Sequence, residues 1–139
     1  MSSTSTARHD GHRLRRSPRS ATVAALAAGV LLLGAACTDE QRRALGEEDV
    51  RASLAARVSA AVEADGSELG GDLDCQATIG DDGVVTAGCT GTTTTGDAVS
   101  GAYAGTADVD AETCAADVVA TIADEPVMGE TGVECFDAG

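Results

Sequence analysis

The chain has 139 residues, with 9 basic and 23 acidic side chains, a formal net charge of −14, one tyrosine, one phenylalanine and no tryptophan. So acidic a balance repels phosphate backbones and excludes nucleic acid as a partner. The near absence of aromatics leaves Val, Ile, Leu and Ala to build the core of one small domain.

The first segment is the most distinctive. Arg8, Arg13, Arg15, Arg16 and Arg19 precede an apolar run from Ala21 to Leu33, which is followed by Gly34-Ala35-Ala36-Cys37. The run is shorter than the ~20 residues a membrane-spanning helix needs. Positive charge ahead of it holds that end in the cytoplasm during insertion. The layout resembles a bacterial lipoprotein signal. That resemblance implies cleavage before Cys37, transfer of a diacylglyceryl group to its thiol, and a mature protein lipid-anchored to the extracytoplasmic face of the cell membrane. Two readings compete: a secretory signal cut elsewhere, with Cys37 incidental, and an uncleaved anchor. Arg15-Arg16 also hints at twin-arginine export, but Ser17-Pro18-Arg19 lacks the apolar pair such signals use. The expected organisation is a signal peptide over 1–36, a lipidated polar tether over 37–46 and a single extracytoplasmic domain over 47–139.

Charge is distributed unevenly across that boundary. All acidic residues but Asp10 lie after residue 36, against only Arg42, Arg43, Arg51 and Arg57, so the remaining chain carries a formal charge of about −18. Such a surface favours solubility and is pushed away from anionic lipid.

Cysteines supply the staple that a thin core needs. Setting Cys37 aside leaves Cys75, Cys89, Cys114 and Cys135, an even number that points to two disulfides in an oxidising compartment. Three connectivities are possible. Cys75–Cys89 with Cys114–Cys135 is favoured, since each pair flanks one compact segment. The spacings of 14, 25 and 21 are far from those of a four-cysteine zinc site.

Along the domain, Val50, Leu54, Val58 and Val62 recur every four residues with Ala55 and Ala61 beside them, which predicts an amphipathic helix over 47–64. Glu47, Glu48 and Asp49 suit its positive end, and Asp65-Gly66 stops it. The periodicity then shifts towards two. Strands are expected over 73–79, 84–95, 98–109 and 114–122, with turns at Gly80–Gly83, Gly96-Asp97 and Asp110–Glu112. Asp124-Glu125-Pro126 closes the fourth strand, and 133–136 reads as a short edge strand tied back by Cys135. The glycines inside these strands suggest bulges or strong twist. The fold expected is α+β, one amphipathic helix packed on a small antiparallel sheet of about four strands with two disulfides.

The order of helix, Cys75-x13-Cys89 and a Thr/Val hairpin resembles a domain of unknown function in secreted proteins and lipoproteins of actinobacteria. The segment that carries the likeness runs from Cys75-Gln76-Ala77-Thr78-Ile79 through Ala87-Gly88-Cys89-Thr90. The resemblance covers residues 47–110 and implies an amino-terminal helix on a small antiparallel sheet. It implies no catalytic residues. Cys114 and Cys135 are additional to that pattern.

Chemistry is sparse. His9 and His12 precede Cys37, so the remaining chain has neither His nor Lys to act as a base near neutral pH. No catalytic residues and no cofactor are expected, and the role is read as non-catalytic binding or structure at the cell envelope, with an envelope protein as the possible partner. The alternative is an envelope lipoprotein that binds a divalent cation such as Ca²⁺, or another small ligand, through Asp108, Asp110 and Glu112, which would share a face if extended. Against this, an acidic edge also serves to discourage strand pairing between molecules. The threonine-rich hairpin is a candidate for O-glycosylation.

Overall fold

The computed structural model describes residues 37–136. The expected signal peptide over 1–36 lies outside the described residues. Among those described, one helix and five strands follow in order: α1 (Asp39–Ala64), β1 (Asp74–Ile79), β2 (Val84–Thr92), β3 (Ala98–Asp108), β4 (Thr113–Ile122) and β5 (Glu125–Glu134). The strands form one antiparallel meander, β1-β2-β3-β4-β5, and α1 packs across one face of it. No described helix is long and apolar enough to cross a membrane.

The four-residue repeat sets the helix–sheet contact. Val50, Leu54, Val58 and Val62 are all fully buried, each one turn from the next, because positions four apart share a helix face. Alternation does the same work in the sheet. Val85 and Cys89 of β2, Val99 and Tyr103 of β3, and Cys114, Ala116, Val118 and Ala120 of β4 point under the helix. The intervening Thr86, Thr90, Ser100, Ala102, Ala104, Ala115 and Val119 face outward. Tyr103 is the largest buried side chain, and its hydroxyl lies 3.1 Å from Ser53 Oγ of α1. Neither hydroxyl is left without a partner, which is the condition for burying them.

Both disulfides join neighbouring strands or their flanks. Cys75 and Cys89 stand directly opposite in the β1–β2 register, with Cα atoms 4.1 Å apart. Cys114, early in β4, bonds Cys135, just past β5, across a Cα separation of 5.3 Å. These are the two pairs that the cysteine spacing favours.

Three expectations are corrected. First, the tether expected over 37–46 is helical from Asp39 onwards. The cause is a capping box: the Gln41 amide donates to Thr38 Oγ1 at 3.3 Å while Gln41 Oε1 accepts from the Thr38 amide at 3.1 Å. Asp39 and Glu40, and not Glu47 to Asp49, therefore occupy the first turn. Glu47 instead accepts a hydrogen bond from the Ile79 amide at 2.9 Å, pinning the end of β1 to the helix. The other end of α1 stops as expected, at Asp65. Gly66 takes φ 85°, and the amides of Gly66 and Ser67 return to the carbonyls of Glu63 and Val62.

Second, the sheet has five strands, since β5 runs ten residues from Glu125 where only 133–136 is expected. Ala123 and Asp124 both adopt left-handed φ values, 49° and 66°, the geometry of a two-residue hairpin turn. The chain thus reverses before Pro126, and Pro126 lies on the outermost strand, where a missing amide costs no ladder bond. Third, β2 ends at Thr92 and not Thr95. Thr93 is buried in the turn, its Oγ1 accepting from the Asp97 amide at 3.0 Å.

Candidate functional site beside Cys37

Cys37 is the residue just before the helix cap, exposed and unbonded, while the other four cysteines are all in disulfides. The capping box fixes where α1 begins, and therefore how close Cys37 stands to folded structure: only Thr38 separates them. Helical ion pairs hold this end against the sheet. Arg42 meets Asp110 in the β3–β4 turn at 2.9 Å, and Arg43 meets Asp81 in the β1–β2 turn at 2.5 Å. Farther along, Arg57 meets Glu130 of β5 at 3.1 Å, and Arg51 pairs with Glu48 within the helix. All four arginines that follow residue 36 are thus matched to carboxylates. Each such partly exposed pair contributes about 0–1 kcal/mol.

Between the first turns of α1 and the β3–β4 turn lies a groove of about 430 Å³. Cys37, Leu45, Gly46, Val109 and Phe136 form its apolar walls, and Arg42, Asp49 and Glu112 also line it. Arg42, Leu45, Gly46 and Asp49 share a helix face by their spacing of three and four. Gly46 admits the close approach: a Cβ there would sit 3.0 Å from Ile79 Cδ1 and 3.3 Å from Phe136 Cε1. Leu45 is 63% exposed, the most exposed of the large hydrophobic side chains described. A second depression, of about 390 Å³, lies over β1 and β2 on the open face, between Gln76, Thr78, Thr86 and Thr90.

The three acidic candidates do not share an extended face. Asp108 is the last residue of β3, and its Oδ1 accepts from the amides of Asp110 and Ala111, both at 3.0 Å, shaping the turn. Asp110 is paired with Arg42, and Glu112 sits at φ 52° on the far side of the turn. Among the described residues, no three His, Cys, Asp or Glu side chains come close enough together to hold a metal ion.

The groove residues Leu45, Val109 and Phe136 escape a reading of the sequence by periodicity. Thr38-x-x-Gln41 is the signal that could have placed Leu45, because it starts the helix early enough to put Leu45 and Gly46 on it; no local signal points to Val109 or Phe136. Comparison with protein-family models, with curated proteins and with solved structures found no match.

Proposed function

We propose that this chain is a lipoprotein of the cell envelope, anchored through Cys37 on the extracytoplasmic face, and that its domain has a non-catalytic binding or structural role. The partition of the cysteines carries the reading. Four close two bridges, and the fifth stands alone and exposed, directly behind Gly34-Ala35-Ala36 and directly ahead of the first helix cap. A thiol so placed is accessible to an acyl-transfer enzyme, and the bridges suit an oxidising compartment. Two or more acyl chains are needed for stable anchoring, which a diacylglyceryl cysteine supplies. Kinship with the actinobacterial secreted domains of unknown function belongs to this proposal and rests on the Cys75–Cys89 spacing. The absence of His and Lys after residue 36 supports a role without acid–base chemistry near neutral pH. Metabolic labelling with radioactive palmitate tests the anchor: the native chain takes up label, and Cys37→Ser takes up none and is found unprocessed or released. Equal labelling of both would overturn the reading.

A further inference from the structure

The groove beside Cys37 leaves an apolar wall uncovered at the point where a lipid would be attached. Leu45 projects from the second turn of α1, 63% exposed, and Val109 and Phe136, half-buried against the core, also line the groove. We propose that this end of the domain docks on the bilayer, with Leu45, Val109 and Phe136 seated among the lipid headgroups, so that the protein is held in one orientation instead of swinging from its anchor. The inference rests on acylation of Cys37.

Distance favours the contact. Only Thr38 separates Cys37 from helical structure, so no flexible spacer lifts the domain away. Leu45 lies six residues into α1, a rise of about 9 Å along the axis.

The rival occupant is one of the acyl chains on Cys37 itself, folded back into the groove. That arrangement would move a chain from bilayer hydrocarbon into a protein groove, trading one apolar surrounding for another, and would gain only the cover it gives the groove walls. Docking covers the same walls and leaves the chains in hydrocarbon. Asp49 and Glu112 at the groove make a zwitterionic surface the favoured one, since anionic lipid repels them.

The chain has no tryptophan, so a single introduced indole reports its own surroundings. Leu45→Trp and Val119→Trp would each be made in the full, acylated protein. Val119, 51% exposed in the middle of β4, marks the open face of the sheet, away from the groove. Both proteins are reconstituted into phosphatidylcholine vesicles carrying brominated acyl chains, which quench indoles near the headgroup boundary. The expected result is that Leu45→Trp loses most of its emission and Val119→Trp keeps nearly all of it. Flotation with the vesicles and the intact mass report the anchor separately. A protein that floats with lipid mass on Cys37, yet shows no more quenching at Leu45→Trp than at Val119→Trp, would overturn the docking while leaving the anchor standing; a folded-back acyl chain gives this result. A protein that carries no lipid and does not float brings down anchor and docking together.

Discussion

Gly101 lies in the middle of the central strand, where Val58 of α1 presses closest to the sheet. A Cβ there would overlap Val58 Cγ2 and reach Leu54 Cδ1 at 3.6 Å. This glycine is an opening for the helix and not a bulge, since the β2–β3 and β3–β4 registers run through it without a shift. Gly101→Ala is therefore expected to destabilise the fold by about 1–3 kcal/mol, the usual cost of overpacking a tight core. In urea unfolding, Gly101→Ala combined with Val58→Ala should lose less than the sum of the two single changes, because the second truncation relieves the clash made by the first. Full additivity would show that the crowding lies elsewhere. Such a contact is not legible in sequence, where a glycine in a strand looks the same whether it bends the backbone or admits a neighbour. The role proposed for Cys37 draws instead on the residues immediately before it in the sequence. The grouping of Leu45, Val109 and Phe136 was not legible, because three distant segments bring them together.

The helix and the last strand show how much of an element a local pattern can reveal. Val50 to Val62 announced the buried part of α1, but Arg42, Arg43 and Ala44 carry no apolar repeat and Gly46 looks like a breaker. The first two turns form because the Thr38–Gln41 cap satisfies amides that would otherwise be unpaired. Thr38→Ala should lower stability by about 1 kcal/mol, read as an earlier urea midpoint together with some loss of helical circular dichroism. An unchanged midpoint would mean that Arg42–Asp110 and Arg43–Asp81 hold those turns unaided. Strand β5 was hidden by irregular pairing. Its register slips between Ala116 and Val118 and again between Ala120 and Thr121, so inward and outward positions do not alternate along it. The strands β1, β3 and β4, where alternation is clean, were read to within a residue of their ends, while β2 was drawn three residues too long, into the turn at Thr93.

Taken whole, the molecule carries far more negative charge than its arginines can offset. Only four basic residues face 22 acidic ones after residue 36, and those four are already paired. Self-repulsion should therefore dominate the response to salt. Screening shortens from about 30 Å at 0.01 M to about 3 Å at 1 M, and the thermal midpoint is expected to rise across that range. A falling midpoint would show that the ion pairs outweigh the repulsion. The meander has a further consequence, for the order of assembly. Every strand pairs with its neighbour in sequence, so loop closures are short and folding is fast for a β-rich domain. On the proposed reading, with the chain exported amino-terminus first and the Cys37 thiol occupied by lipid, Cys75 and Cys89 meet an oxidant before Cys114 has appeared. With Cys37 so occupied, consecutive oxidation yields Cys75–Cys89 and then Cys114–Cys135, the native bridges, without an isomerase to reshuffle them.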